Sequence, residues 1–212
     1  MQGGNLQDYL RSNRSLQRAA YANTCSDVKT LTNNDLMTFA YQVSSGMQFL
    51  SSNGCIHRDL AARKVLLDKQ NICKISNFRL TREVDNKHQK DCKIKSNLPV
   101  PWIALESIRN GIFTTKSNVW SFGVVLWEIV TMGNRPYPGM SEQEVTSSLQ
   151  AGYRMPKPSH CEKELYSIIL SCWDEDMGRR PTFAELSAIL QKLTNDEKTY
   201  IEITDIDLVD DN

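Results

Sequence analysis

Residues 55–80 read CIHRDLAARKVLLDKQNICKISNFRL, and this stretch decides the fold. It contains two short apolar runs, residues 65–67 and 72–75, on either side of the polar residues 68–71. Two runs of strand length that flank a polar turn are typical of a β-hairpin. The sequence therefore predicts a small hairpin at this point, with polar, chemically active side chains immediately before and after it.

The composition is typical of one globular domain. The chain has 212 residues, of which 40% are hydrophobic and 24% are charged. Its 25 basic and 25 acidic residues balance, so no net charge attracts it to nucleic acid or to an anionic membrane. The longest apolar run, residues 124–130, is far shorter than the roughly 18 residues of a membrane span. We expect neither a nucleic-acid partner nor a membrane segment in this sequence.

The cysteines indicate a reducing compartment. Six cysteines are scattered along the chain, and no CxxC pair suggests a zinc or redox site. Cys73 and Cys172 fall inside apolar patterns, where a free thiol packs as a small hydrophobic side chain. We therefore expect free thiols and a cytoplasmic location.

Helical patterns dominate the remainder of the chain. Thr32 begins a helix whose apolar residues recur at spacings of three and four, up to about residue 53. Residues 116–129 are apolar almost all round, which predicts a helix at the buried centre of the domain. Ser141, with Glu144 three residues later, forms a capping box for a helix to Gln150. Two more helices are predicted over residues 161–173 and 182–193. The fold class is therefore mainly α.

Two segments lack a clear period. Residues 12–31 are polar, and we expect them to form a surface insert. Residues 194–212 are largely acidic, and we expect a flexible tail. The chain is thus divided into a domain of residues 1–193 and a tail of residues 194–212.

Six motifs occur in a fixed order. They are HRDLAAR (57–63), LPVPWIALE (98–106), WSFGVVLWEI (120–129), PYPG (136–139), CW (172–173) and RRPTF (179–183). Together they resemble the large C-terminal lobe of receptor-type tyrosine kinases, in the protein kinase superfamily. The resemblance implies a mainly α large lobe with its hairpin at the catalytic loop. The sequence has no glycine-rich phosphate loop and no Val-Ala-x-Lys strand, so we expect the small β-rich lobe to be absent.

The resemblance also implies roles for individual residues. Asp59 matches the base that accepts the proton of the substrate hydroxyl, and Arg63 matches a residue that positions phosphate and substrate. Leu66 matches the floor of the adenine site. The activation-loop positions are Arg58, which receives a phosphorylated residue in the family, together with Phe78 and Arg79. The positions implied to support the fold are His57, Glu106, Asn118 and Arg180.

Three residues on the metal side of the site depart from the family pattern. Lys64 replaces an Asn and Asn77 replaces an Asp, both of which ligate magnesium in the family, and Arg79 replaces a Gly. Each change makes the site more positive, whereas Mg²⁺ prefers carboxylate ligands. Lys64 could also pair with Asp59 and neutralise it. The family uses ATP and Mg²⁺, but we expect this chain not to bind them productively.

Several functional interpretations are open from the sequence. The first is a pseudokinase or interaction module, in which protein partners bind as a kinase-like dimer or a signalling adaptor. The second is an active receptor-type tyrosine kinase whose small lobe lies outside this sequence, on the cytosolic side of the plasma membrane. The third is a truncated gene copy without a role. Tyr200 begins a Tyr-x-x-apolar pattern of the form that phosphotyrosine-binding modules read.

Overall fold

The computed structural model describes residues 4–21, 30–77, 82–83 and 99–203. Helices predominate, which confirms the mainly α prediction. The helices are α1 (Leu6–Tyr21), α2 (Asn33–Ser52), α3 (Leu105–Asn110), α4 (Thr115–Val130), α5 (Glu142–Gln150), α6 (Lys163–Cys172) and α7 (Phe183–Thr194). The strands are β1 (Cys55–Ile56), β2 (Val65–Leu67), β3 (Cys73–Ile75) and β4 (Arg82–Glu83). Across the described part of the chain, no helix is both long enough and apolar enough to span a bilayer.

Helix α4 lies at the centre of the domain, as its apolar sequence predicts. Every residue from Ser117 to Val130 is buried. Helix α6 packs against it, and α2 packs against both α4 and α7. Close packing depends on Gly123, because a Cβ atom there would lie 2.7 Å from the Cβ of Cys172. Helix α1 and strand β1 also contact this buried helix.

The predicted hairpin is present. Strands β2 and β3 are antiparallel, with Val65 opposite Ile75 and Leu67 opposite Cys73. The Asp68 carboxylate closes the turn by accepting hydrogen bonds from the backbone N–H groups of Gln70 and Ile72. A second pair, β1 and β4, is also antiparallel. In the chain, Asp59 lies between β1 and β2, which belong to different pairs.

Side-chain caps define the helix starts. Thr32, Ser141 and Thr182 each form a complete capping box, with Asp35, Glu144 and Glu185 as the third helical residues. Each box satisfies backbone N–H groups that have no partner inside the helix. The caps at Thr32 and Ser141 are those that the sequence predicts.

Helix α1 extends into the first half of the expected insert at residues 12–31. Helix α1 continues to Tyr21, and residues 22–29 lie outside the described part. Asn13 and Gln17 are buried because their amide groups donate to the carbonyl oxygens of Tyr9 and Leu31. Polar residues thus pack along α1 through hydrogen bonds to the backbone, which an apolar periodicity cannot reveal.

The first part of the expected tail contains two buried residues. Tyr200 and Ile201 are each only 1% exposed, and both of their N–H groups donate to the Asn33 side-chain oxygen. Ile201 also forms a β-bridge with Cys161. The phenol of Tyr200 donates to Asp196 at 2.8 Å. Residues 204–212 lie outside the described part.

Candidate active site

The loop that carries Asp59 is held by hydrogen bonds to a side chain of α4. The Asn118 side-chain oxygen accepts hydrogen bonds from the backbone N–H groups of His57 and Arg58, at 3.2 and 3.3 Å. The resemblance implies that Asn118 supports the fold, and in the structure its side chain contacts the backbone of the loop. Its side-chain nitrogen is buried and has no hydrogen-bond partner among the residues that the structure describes. One amide oxygen therefore holds two consecutive backbone groups.

His57 fixes the other side of the loop. Its Nδ1 accepts from the backbone N–H of Asp59, which leaves the proton on Nε2 to donate to the Ser76 carbonyl at 2.8 Å. Burial lowers the pKa of His57, although the Ser76 carbonyl and the Asp59 carboxylate act in the opposite direction. The neutral imidazole thus links the loop to the segment that follows the hairpin.

Asp59 is enclosed by three donors. It is 8% exposed. Its Oδ1 accepts from Arg63 Nη2 at 3.2 Å, and its Oδ2 accepts from Asn77 Nδ2 at 2.8 Å. Lys64 Nζ lies 3.4 Å from the same Oδ2 as an ion pair. The structure therefore brings Asp59, Arg63, Lys64 and Asn77 together, and both carboxylate oxygens already have partners.

Arg63 is positioned by an aromatic ring. Its guanidinium carbon lies 4.1 Å from the centre of the Trp102 ring, which is within the range of a cation–π interaction. The Trp102 indole N–H donates to Glu128 Oε2 at 3.0 Å. Because the ring is itself held by a buried carboxylate, the Arg63 guanidinium is restrained on two sides.

Glu128 belongs to the site, although its role was not predicted from the sequence. This carboxylate is fully buried and accepts hydrogen bonds from the Ala62 backbone N–H, the Gln7 amide and the Trp102 indole. Burial raises its pKa to about 7, against the effect of those hydrogen bonds and of the nearby arginines. Its position in an apolar helical run was the only signal, since a charged residue there requires buried partners.

The other site residues lie around this cluster. Leu66 is half-buried on β2 and pairs through its backbone with Asn5, near the start of α1. Arg58 has a positive φ of 70°, and its guanidinium carbon lies 5.0 Å from the Phe113 ring centre. Phe78 and Arg79, which the sequence assigned to the activation loop, lie outside the described residues.

Glu106 and Arg180 form a separate, buried pair. Two parallel hydrogen bonds of 2.8 and 2.7 Å join the guanidinium to the carboxylate. The Arg180 side chain is 0% exposed. The pair ties the start of α3 to the segment before α7, so it belongs to the scaffold and not to the cluster around Asp59.

Comparisons with known proteins agree with this arrangement. A family model for protein tyrosine and serine/threonine kinases matches residues 1–190. The chain belongs to this kinase family. It is 46% identical over 200 residues to the tyrosine kinase receptor Cad96Ca of Drosophila melanogaster. This match covers 94% of the chain and 26% of that receptor.

Two further receptor kinases are similar. The chain is 41% identical over 204 residues to fibroblast growth factor receptor 1 of Xenopus laevis, covering 95% of the chain and 25% of that receptor. It is 48% identical over 163 residues to the tyrosine-protein kinase receptor torso of Bombyx mori, covering 77% of the chain and 20% of that receptor. The chain thus spans about a quarter or less of the length of these relatives.

The side chains at the family's magnesium positions do not fit the ion. Lys64 presents an ammonium group, and the Asn77 amide nitrogen faces the Asp59 carboxylate as a donor. Mg²⁺ requires oxygen ligands in near-octahedral geometry, and it is usually held by one or two carboxylates. Within the described ranges, no three residues among His, Cys, Asp and Glu cluster as a metal site. In this kinase-family chain, cationic and amide donors stand where a magnesium site needs oxygen atoms.

Proposed function

We propose that this chain is a kinase-family large lobe that does not transfer phosphate and that acts through contacts with other proteins. The observation that carries the proposal is the enclosure of Asp59 by Arg63, Lys64 and Asn77. The family reaction is the ATP-dependent phosphorylation of protein tyrosine. That reaction needs both a free base and bound magnesium, and each requirement fails here for a separate reason.

The first reason concerns the base. A general base must lie within about 2.6–3.2 Å of the hydroxyl whose proton it accepts. Asp59 Oδ2 already accepts from the Asn77 amide and faces the Lys64 ammonium, and Oδ1 accepts from Arg63. A substrate hydroxyl would have to compete with these donors for the remaining acceptor position of the carboxylate. The charge-assisted contacts also hold the carboxylate in place and lower its basicity, since such hydrogen bonds contribute about 1.5–3 kcal/mol each.

The second reason concerns charge. A magnesium ion placed near Lys64 would be repelled by the ammonium group. One unit charge at about 4 Å is worth on the order of 4 kcal/mol at an effective dielectric constant of 20. A barrier increase of 1.36 kcal/mol slows a reaction about tenfold, so even a part of this energy suppresses transfer strongly. The metal position and the base position therefore point to the same conclusion.

The scaffold supports a role as an interaction module. The bidentate pair between Arg180 and Glu106, the buried α4 and the three capping boxes stabilise the fold of the large lobe. A preserved fold with a blocked site is the arrangement expected of a domain that binds protein partners through its surface. We place this function in the cytoplasm, or on the cytosolic side of the plasma membrane if the chain is part of a longer receptor.

An active receptor-type tyrosine kinase is the second candidate. It is favoured by the retained Asp59 and Arg63, whose Oδ1 and Nη2 atoms lie 3.2 Å apart. The 46% identity to a tyrosine kinase receptor also favours it. In that case the small lobe would be supplied by sequence outside this chain. ATP would then bind between the two lobes, with Leu66 at the floor of the adenine site.

The two candidates differ in a phosphate-transfer assay. We expect purified protein with Mg-ATP and a tyrosine-containing peptide to transfer no labelled phosphate above the level of Asp59→Asn. The double variant Lys64→Asn/Asn77→Asp, which restores the family's metal residues, is assayed beside the unmodified chain. Lys74→Asn is the control, because Lys74 is an exposed lysine on the same hairpin. Magnesium-dependent transfer by the unmodified chain, abolished in Asp59→Asn, would establish the active kinase instead.

A further inference from the structure

A cavity of about 280 Å³ lies where the end of α2 meets the starts of α4 and α7. It is lined by Ser51 of α2, by Thr115, Lys116 and Val119 of α4, and by Phe183 and Ala184 of α7. Among its described lining residues, none belongs to the cluster around Asp59. An apolar cavity of about 150 Å³ holds benzene, so the larger volume here can receive a two-ring aromatic group. Val119 and Phe183 are both buried and give such a group apolar walls.

Lys116 gives the cavity a positive charge. Within the described lining, it is the one residue with a charged side chain. Its Nζ donates to the Arg180 carbonyl oxygen, and an ammonium group has two further donors. The nearby Glu185 carboxylate accepts hydrogen bonds from the backbone N–H and the hydroxyl of Thr182. These hydrogen bonds, and to a smaller extent Lys116, lower the pKa of Glu185. The lining therefore favours an anion over a cation.

A hydroxyl group in the same lining has no partner. Ser51 Oγ is buried and makes no hydrogen bond to any residue that the structure describes. Buried polar atoms are nearly always hydrogen-bonded, and an unpaired one calls for a bound water or ion. A serine hydroxyl can donate to a carboxylate oxygen. The unpaired Ser51 hydroxyl therefore indicates a polar ligand atom in the cavity that Lys116 also lines.

The starts of two helices add to the positive potential. Residues 115–116 are the first two of α4, and residues 183–184 are the first two of α7. Backbone N–H groups in the first turn have no acceptor inside the helix, and the helix dipole is positive at that end. The cap residues Thr114 and Thr182 accept from the N–H groups of the third helical residues. The cavity thus lies against the positive ends of two capped helices.

We propose that this cavity binds a small aromatic carboxylate. The ring system lies against Val119 and Phe183, and the carboxylate accepts hydrogen bonds from Lys116 and Ser51. The ring supplies apolar contact area, while the ammonium group favours a charged end over a neutral one. The inference does not depend on the proposed function, because the described lining shares no residue with the cluster around Asp59.

The test is isothermal titration of the purified chain with 2-naphthoate and with its neutral analogue 2-naphthalenemethanol. We expect saturable binding of 2-naphthoate and about tenfold weaker binding of the alcohol, which lacks the charge. Lys116→Gln should weaken the binding of 2-naphthoate about tenfold and bring it to the level of the alcohol. Lys192→Gln is the control, because it removes an equal charge from an exposed position in the last turn of α7 and should leave binding unchanged.

A second pair of variants changes the volume of the cavity. Ala184→Phe places a large ring in the lining and should lower the affinity for 2-naphthoate at least tenfold. Ala188→Phe, at an exposed alanine one turn later on α7, should not change it. This pair decides the result if Lys116→Gln fails to fold after losing its contact with the Arg180 carbonyl.

Three outcomes would overturn the inference. The first is the absence of saturable binding of 2-naphthoate. The second is equal affinity for 2-naphthoate and the alcohol, since the site would then not select a carboxylate. The third is unchanged affinity in folded Lys116→Gln or in Ala184→Phe, since the ligand would then bind elsewhere. None of these results bears on phosphate transfer, so a failure here is distinguishable from a failure of the proposed function.

Discussion

Replacing Arg180 by methionine should unfold a large part of the population under mild denaturation. The Arg180 side chain is 0% exposed, so its guanidinium depends entirely on partners inside the protein. It makes two hydrogen bonds to Glu106, one to the Asp174 carbonyl at 2.8 Å and one to the Lys116 carbonyl at 3.0 Å. Methionine fills similar space but satisfies none of these acceptors.

The expected loss of stability arises because the Glu106 carboxylate loses its charged partner. The Glu106 side chain is only 14% exposed in the intact pair, and without Arg180 its carboxylate would keep only the hydrogen bond from the Ser117 hydroxyl. Breaking a buried ion pair from one side costs about 3–5 kcal/mol. Because domains of this kind are stable by only about 5–15 kcal/mol, the variant should lose a large fraction of its free energy of unfolding.

Urea unfolding followed by tryptophan fluorescence measures this loss. Arg179→Met is the matched control, because the neighbouring arginine is 76% exposed and lies 3.8 Å from Asp176. It should change the free energy of unfolding by less than about 0.5 kcal/mol. The double variant Arg180→Met/Glu106→Met should recover part of the loss by removing the unpaired carboxylate. An Arg180→Met variant within about 1 kcal/mol of the Arg179→Met control would refute the reasoning.

Two further predictions concern pH and the C-terminal segment. The pKa of Glu128 is raised from 4.5 to about 7 by burial, so the folded chain binds more protons than the unfolded chain between these values. The free energy of unfolding should therefore fall by up to about 3 kcal/mol as the pH rises through this window, and Glu128→Gln should remove that part of the slope in urea titrations. Asn33→Ala removes the oxygen that accepts from the N–H groups of Tyr200 and Ile201. It should lower stability by about 1–3 kcal/mol and speed proteolysis near residue 200, whereas the exposed neighbour Asn34→Ala should do neither; equal proteolysis of the two variants would count against this contact.

The parts of the fold that were predictable are those with a local signal. The hairpin around Asp68 follows from two apolar runs and a polar turn, and the helix that begins after Thr32 follows from its cap and its period. The length of α1 was not predictable in this way. Asn13 and Gln17 look like surface residues in sequence, and only their backbone partners explain their burial. The docking of Tyr200 likewise depends on Asn33, which is remote in the chain.

The sequence predicted which residues form the site, but not how their side chains are arranged. The motif around Asp59 indicated the residues, and the charge of Lys64 indicated a possible pair with that carboxylate. The contact from the Asn77 amide depends on a positive φ of 68° that brings this side chain back to the loop, and a sequence does not show that conformation. Glu128 was missed because its partners come from three separate segments.

We propose that this kinase-family chain has no competent magnesium site beside Asp59. Thermal melting with ATP in the presence of magnesium, compared with ATP in EDTA, tests it most directly. A ligand at one hundred times its Kd stabilises a fold by about 2.7 kcal/mol, which is readily measured as a rise in Tm. We expect any rise to be the same with magnesium and with EDTA, and a magnesium-dependent rise to appear only in Lys64→Asn/Asn77→Asp. A clear rise in the unmodified chain that requires magnesium would contradict the claim.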